Sequence, residues 1–391
     1  MKVRFSKSYT LLLFIGLTSS FFSCQHTGSS KKTGVFADFE PTATTAFVWS
    51  QDHAEIIPKL ASVISSKDHV TIYFNSNKTD VAKIHAVLNR HKANPENVTL
   101  AEIPLNTDNI WIRDFGPVIS MNEARQPEII SFNYFGTSPG YAEYFGQQKK
   151  IPVIQSSFIS TGGAREVNGN GSVILVETHE RDVNRGKSLE AIETELSEKL
   201  GLTNFIWLEK GIPQDDNPLK GPLVKNIYPN GINGHVDEFC RFADENTILI
   251  SSVSEEEANK HPILKEAKIR LDRNYEILAN SRDQNGRKFN IIKVPFAPLI
   301  IVDRSDQNQQ IFVTPVTSYM NFIITNSKVI LPSYLLEDIR QADIEIKEKE
   351  VYQIFNQVFP NHEILMIPVG NLNYFSGGFH CISLNIPQLP L

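Results

Sequence analysis

The residues of this chain that can do chemistry lie in four polar clusters set among apolar strands. The first is Asp108-Asn109-Ile110-Trp111-Ile112-Arg113-Asp114-Phe115-Gly116-Pro117, which places an Arg-Asp pair at a strand end beside an aromatic wall. Alone, that pair reads equally well as a surface ion pair at a turn. The second is Asn233-Gly234-His235-Val236-Asp237-Glu238-Phe239. On a strand, His235 and Asp237 point to the same side, so a base and a carboxylate share one pocket. A loop histidine hydrogen-bonded by its neighbour is the plain alternative. The third is Gly377-Gly378-Phe379-His380-Cys381-Ile382, whose two glycines allow a tight turn that delivers Cys381 at a constrained position. A lone cysteine otherwise behaves as a small buried hydrophobe, the reading that suits Cys240 near Phe239 and Phe242. The fourth runs from Thr161 to Gly171. It lacks the P-loop Lys-Ser/Thr and the dinucleotide glycine spacing, so phosphate binding is not expected there.

A thiol, a histidine and two carboxylates together suit nucleophilic attack on a cationic carbon. A guanidinium fits: it is planar, always charged, and presents a fork of donors that carboxylates accept bidentately. Thiolate addition gives a tetrahedral centre, and a protonated histidine hands its proton to departing ammonia. The same histidine, now neutral, activates water to release a ureido product. This chemistry calls for no metal and no cofactor. The rival of another kind is a metal-dependent hydrolase built on His235, Asp237 and His380.

Alternating strands and helices position these clusters. Val70 to Phe74 reads as a buried strand, and Thr79-Asp80 caps a helix with Ile84, Val87 and Leu88 on one face. Val98 to Ile103 is the next strand. Ser188 caps a helix striped by Leu189, Ile192, Leu196 and Leu200 and stopped by Gly201, with a strand over Phe205 to Leu208 directly after it. The spacing predicts a long helix from Tyr334 to Phe359, ended by Pro360. Gly211 to Gly231 and Asp303 to Gln310 read as loops or insertions. No composition shift marks a boundary, so a single α/β catalytic domain is expected.

Thirty-eight Lys+Arg against 44 Asp+Glu give a net charge of −6, which offers no electrostatic case for a nucleic-acid partner. Three scattered cysteines make neither a disulfide framework nor a four-ligand zinc site. The amino terminus reads as an export signal. Lys2, Arg4 and Lys7 precede a short apolar run at 11–17, and Ser23-Cys24 stands at cleavage distance, as in bacterial lipoproteins with an acylated Cys24. The expected organisation is a signal over 1–23, a flexible tether over 24–34 and the catalytic domain over 35–391. The chain is thus expected to be exported, touching a periplasmic or cell-surface membrane only through its lipid anchor.

Five ordered motifs carry a resemblance: Trp111-Ile112-Arg113-Asp114-x-Gly116-Pro117; Gly162-Gly163 with Asn168-Gly169-x-Gly171; Gly234-His235-Val236-Asp237; Ser318-Tyr319-Met320-Asn321-Phe322; and Gly377-Gly378-x-His380-Cys381-Ile382. The chain resembles the agmatine deiminase/Porphyromonas-type peptidylarginine deiminase family of guanidine-modifying enzymes. That resemblance implies a five-bladed, pseudosymmetric α/β propeller of pentein type with the site in its central channel. It implies Cys381 as nucleophile, His235 as general acid/base, and Asp114 and Asp237 as guanidinium ligands, with Trp111 and Asn321 beside them. The implied reaction turns agmatine into N-carbamoylputrescine, a step toward putrescine. Protein-arginine deimination to peptidyl-citrulline is the alternative within the family, and a non-catalytic guanidine- or peptide-binding lipoprotein the alternative outside it. Two departures bear on substrate. Thr161 replaces the glutamate that agmatine deiminases carry just before Gly-Gly. Residues 132–136, Phe-Asn-Tyr-Phe-Gly, lack the arginines with which bacterial peptidylarginine deiminases grip a carboxylate; Arg165 could serve instead, or pair with Glu166 on the surface.

Overall fold

The computed structural model describes residues 33–389 other than 54, 105–108, 135–139, 308 and 336–340. The expected signal, Cys24, most of the tether and Asp108 therefore lie outside the described residues. Gly34, the last residue of the expected tether, already pairs with Met121 in a short strand. No helix among the described residues is long and apolar enough to cross a membrane.

One unit recurs five times: a strand, an antiparallel neighbour, one or two helices, then a strand returning parallel to that neighbour. Val118–Met121, Pro127–Asn133, the helix Tyr141–Lys149 and Val153–Ile159 make one such unit. Arg165–Val167, Ser172–Val176 and Asn204–Leu208 make the next, with Leu189–Leu200 as its longer helix. Cys240–Phe242, Thr247–Ser252 and Asn290–Pro295 frame the helix Pro262–Asn280. Ile323–Ile324, Lys328–Ser333 and Glu363–Pro368 frame the helix Ala342–Val358. In the remaining unit, Thr42–Val48 and Val70–Phe74 are parallel around Ile56–Ser65, and the antiparallel strand comes from the far end of the chain, Leu384–Pro387. A parallel pair needs a crossover of a dozen or more residues, so a helix joins the two parallel strands in every unit. A sixth, three-stranded sheet joins Ile227–Pro229, inside the first segment read as a loop or insertion, to Val302–Asp303 and Phe312–Thr314, which bracket the second. The fold is mixed α/β, and no sheet among the described residues closes on itself.

Local sequence explains these elements. Asp80 accepts from Ala82 N–H and starts Val81–Arg90; Ser188 accepts from Ala191 N–H, and left-handed Gly201 ends that helix. Central strands buried on both faces read as apolar runs, as in Ser172–Val176, where every residue is buried. The helix expected from Tyr334 begins only at Ala342. Tyr334 instead leaves the strand Lys328–Ser333, with its N–H donating to Glu348 and its ring buried. A carboxylate from the following helix thus ties down the residue that periodicity assigned to that helix.

The pairing of Thr42–Val48 with Leu384–Pro387 joins the two ends of the domain, with Ile386 opposite Thr44 and buried against Phe115 and Ile119 in one apolar cluster. Ile386→Ala should lower unfolding stability by about 2–4 kcal/mol, read as a shifted urea midpoint at unchanged slope. An unshifted midpoint would mean that this strand does not secure the fold.

Candidate active site

Each of the five motifs occupies the same place in its unit, just before the first antiparallel strand. Ile112–Phe115 precedes Val118, Gly162–Ala164 precedes Arg165, Val236–Glu238 precedes Cys240, Asn321 precedes Ile323, and Cys381 precedes Leu384. Topological repetition thus gathers residues far apart in the chain: Arg113 and His380, which are hydrogen-bonded, lie 267 positions apart.

Cys381 is buried at the centre of the gathering. Its Sγ lies 3.1 Å from Asn321 Nδ2, 3.5 Å from Glu238 Oε1 and 3.8 Å from Asp237 Oδ2. The Asn321 amide is oriented by main-chain donors: its Oδ1 accepts from His380 N–H at 2.8 Å and Cys381 N–H at 3.3 Å. Its Nδ2 must then face the sulfur and the two carboxylates, donating to Glu238 at 2.9 Å and Asp237 at 3.3 Å. Ser318 Oγ donates to the Glu238 carbonyl at 2.6 Å and braces the same turn.

The second motif is not a strand. Val236–Glu238 is a single 3-10 turn with His235 at its N-cap. On a strand, Asp237 and Glu238 would point to opposite faces; the turn brings both to the sulfur. His235 and Asp237 do share one wall, by another route. A Cβ on Gly163 would lie 2.6 Å from His235 Nδ1 and 3.0 Å from Asp237 Oδ2, so only glycine fits between them. Gly377 similarly lies against the Trp111 ring, and Gly378 against the Asn321 amide.

His235 is fully enclosed. Thr161 Oγ1 sits 3.0 Å from its Nε2, the His179 ring meets it edge-on at 4.8 Å, and Asp114 Oδ1 is 3.9 Å from its Nδ1. Burial pushes its pKa down to about 3, leaving the ring neutral at pH 7. Asp215 fixes its backbone, accepting from the N–H groups of Ile232, Gly234 and His235.

The Arg113-Asp114 pair does not exist as a surface bridge. Arg113 is buried and pairs with Asp38 at 2.9 Å, while Asp114 accepts from Gly163 N–H at 3.0 Å. These residues occupy the short helix Ile112–Phe115 rather than a strand end. Arg165 and Glu166 do not pair either. Arg165 Nη1 donates to Ser160 Oγ at 2.8 Å and the Thr161 carbonyl at 3.1 Å, whereas Glu166 meets Arg241.

The charges do not balance. Arg113 and Arg241 both engage Asp38, so Asp114, Asp237 and Glu238 surround the thiol with no arginine at ion-pair distance among the described residues. Burial raises Asp114 to about 6. Burial and neighbouring carboxylates push Asp237 and Glu238 well above the usual range, and burial with Asp237 and Glu238 does the same to the Cys381 thiol. An added cation reverses these shifts. Asp237, Glu238 and Cys381 are also the one group among the described residues placed to take a metal together. The oriented Asn321 N–H donates to both carboxylates of that donor set. His235, Asp237 and His380 do not form such a group.

Glu238, Asp38 and Asp215 carried no assigned role in the sequence. Glu238 stands inside a recognised motif, and only the strand assumption turned it away. Asp38 and Asp215 lie in segments without motif, where only folding reveals their partners.

The raised carboxyls make stability pH-dependent. Asp114 near 6, Asp215 near 7 and Glu180 near 8 all lie above their unfolded values, so these three groups hold more protons in the fold than in the unfolded chain. Their contribution is full below about pH 4 and is lost as pH rises toward about 8. The Tm of a Cys381→Ala variant should therefore fall from pH 7 to pH 9, above the range in which the buried neutral His179 and His235 give the opposite slope; a rise across that range would contradict the charge assignment.

The family model for Porphyromonas-type peptidyl-arginine deiminase matches residues 34–387. Agmatine deiminase of Ectopseudomonas mendocina is 26% identical over 324 residues, covering 76% of this chain and 79% of that protein. Agmatine deiminase of Enterococcus faecalis superposes with a TM-score of 0.72 at 20% identity, covering 92% of this chain and 96% of that one. The C. jejuni agmatine deiminase with substrate bound gives 0.67 at 19% identity, covering 92% and 97%. With nearly the whole domain matched and the five motifs gathered around one thiol, the chain belongs to the Porphyromonas-type peptidyl-arginine deiminase family, hydrolases of C–N bonds in linear amidines.

Proposed function

We propose that this chain hydrolyses a guanidinium group to a ureido group and ammonia through a covalent adduct on Cys381, with agmatine as substrate. The observation that carries the reading is the buried thiol ringed by carboxylates that lack a cation. The five units would stand around a central channel holding that thiol.

Asp114 and Asp237 accept the guanidinium N–H groups, each charge-assisted bond contributing about 1.5–3 kcal/mol. Glu238 and Asn321 border the same space, and Trp111 walls it. The arriving positive charge lowers the thiol pKa, so the nucleophile ionises with substrate in place and its proton passes to the neutral His235 ring. Cys381 sulfur bonds to the guanidinium carbon, forming a tetrahedral centre. His235 supplies the proton with which one terminal nitrogen leaves as ammonia. Water, deprotonated by the now neutral His235, adds to the thiouronium carbon; the C–S bond breaks and returns the thiol. One water is consumed and one ammonium is produced. Thr161 gives His235 a neutral partner at Nε2, so Asp114 is its nearest carboxylate. Arg165, held by Ser160 and Thr161, positions that loop and has no part in gripping substrate.

The amino-terminal reading belongs to the same proposal: an exported enzyme, anchored through acylated Cys24, meeting guanidines outside the cytoplasm. Arginine in peptides is the second substrate class, supported by the family model that matches the chain.

Ammonia release from agmatine, free arginine, and peptides with internal or carboxyl-terminal arginine chooses among these. Cys381→Ala should abolish release. Cys240→Ala, buried beside apolar strands, should leave turnover nearly unchanged; equal loss in both would mean that the nucleophile is misplaced. Because Asp114 must be ionised to accept the guanidinium, kcat/KM should rise with pH through about 6. Asp114→Asn should lower kcat/KM roughly 10- to 150-fold and remove that limb, the loss expected for one charge-assisted bond. A normal kcat/KM would reject its role.

A further inference from the structure

His380 has no role in this mechanism, yet it is fully buried and both of its ring nitrogens are engaged. Nδ1 lies 2.6 Å from Asp237 Oδ2, and Nε2 lies 2.6 Å from Asp38 Oδ2. Its main chain is pinned: N–H donates to Asn321, and its carbonyl accepts from Arg113 Nε at 3.4 Å and Ser383 Oγ at 3.1 Å. The ring is therefore fixed between two carboxyl groups, one at the thiol and one behind it.

A neutral imidazole has one N–H and one acceptor nitrogen. Between two carboxyl groups at hydrogen-bond distance, either the ring is doubly protonated or one acid keeps its proton. The surroundings decide which acid that is. Asp38 contacts Arg113 and Arg241, each at 2.9 Å. Burial alone would raise it, but these cations and His380 hold it well below the usual range. Burial, with Asp114 nearby, pushes Asp237 the other way. Burial, Arg113 and Arg241 likewise disfavour charge on His380. The resting arrangement is thus Asp237 O–H donating to Nδ1, and Nε2–H donating to ionised Asp38.

We propose that His380 is a positioning residue that takes the Asp237 proton when a guanidinium arrives, so that Asp237 becomes an oriented carboxylate without releasing a proton to solvent. This rests on the guanidine-hydrolase reading of the same site. The step balances within one hydrogen bond: the Asp237 O–H bond breaks, the Nδ1–H bond forms, and the imidazolium then donates to carboxylates on both sides. Arg165 and Glu166, with Asp38 and Arg113, line a small chamber of about 70 Å³ beside His380. With Asp237 and Arg241, they complete the charged groups facing the ring.

Calorimetry with agmatine in buffers of different ionisation enthalpy tests the step in the Cys381→Ala chain, which binds without turnover. Cys381→Ala should release only the protons that Asp114 and Glu238 give up when the cation arrives. Adding His380→Asn, which keeps an N–H for Asp237 but accepts no proton, should release about one proton more per agmatine and steepen the pH dependence of Kd by about tenfold per pH unit below neutrality. A second measurement needs only Cys381→Ala: 15N NMR of histidine-labelled protein should show ligand-free His380 neutral with its proton on Nε2, and doubly protonated with agmatine bound. An imidazolium in the ligand-free protein, or equal proton release with and without His380, overturns the relay. A wild-type chain that turns over agmatine alongside either result overturns the relay alone. A chain that turns over no guanidine overturns the functional reading, and the substrate-driven step with it.

Discussion

The structure is governed by a shortage of positive charge in its interior. Asp114, Asp237 and Glu238 gather around a buried thiol with Asp38 and Glu166 behind them, and the two arginines in this layer, Arg113 and Arg241, converge on Asp38. Burying unpaired carboxylates is costly, so they remain partly protonated until a cation arrives. Such a site suits the positive, hydrogen-bonding head group of the proposed substrate.

The same interior layer ties the units together. Asp38 follows the first short strand, Arg113 precedes the second unit, Arg241 lies in the fourth, and His380 comes from the segment leading to the final strand. Asn321 from the fifth unit orients Cys381 and both neighbouring carboxylates through a single amide. The residues that tie the units together are therefore bonded directly to those around the thiol. A substitution among them is expected to act on folding as well as on chemistry at the thiol, which is why proton release and ring protonation discriminate better than activity alone.

Much of this was legible in the sequence. Capped helices such as Val81–Arg90 and Leu189–Leu200 announced themselves through Asp80, Ser188 and Gly201, and the apolar runs marked the buried strands. The motif glycines were legible as constraints, and the structure gives their cause in Gly163 against His235 and Gly378 against Asn321. Other features depend on tertiary contacts that no local pattern encodes. The His235–Glu238 segment lacks strand pairing and closes into a turn, which alters the direction of Glu238. Arg113 looked like the partner of its neighbour Asp114 but pairs with Asp38, 75 positions away. Tyr334 fits a helical period yet is held outside the helix by Glu348.

The most direct test of the account is to quench the enzyme during turnover of agmatine and weigh the intact protein, followed by peptide mapping. The account predicts an added mass equal to agmatine less ammonia, located on Cys381 and absent from Cys381→Ala. Cysteine-independent turnover that yields no adduct, and that a chelator stops, would contradict it.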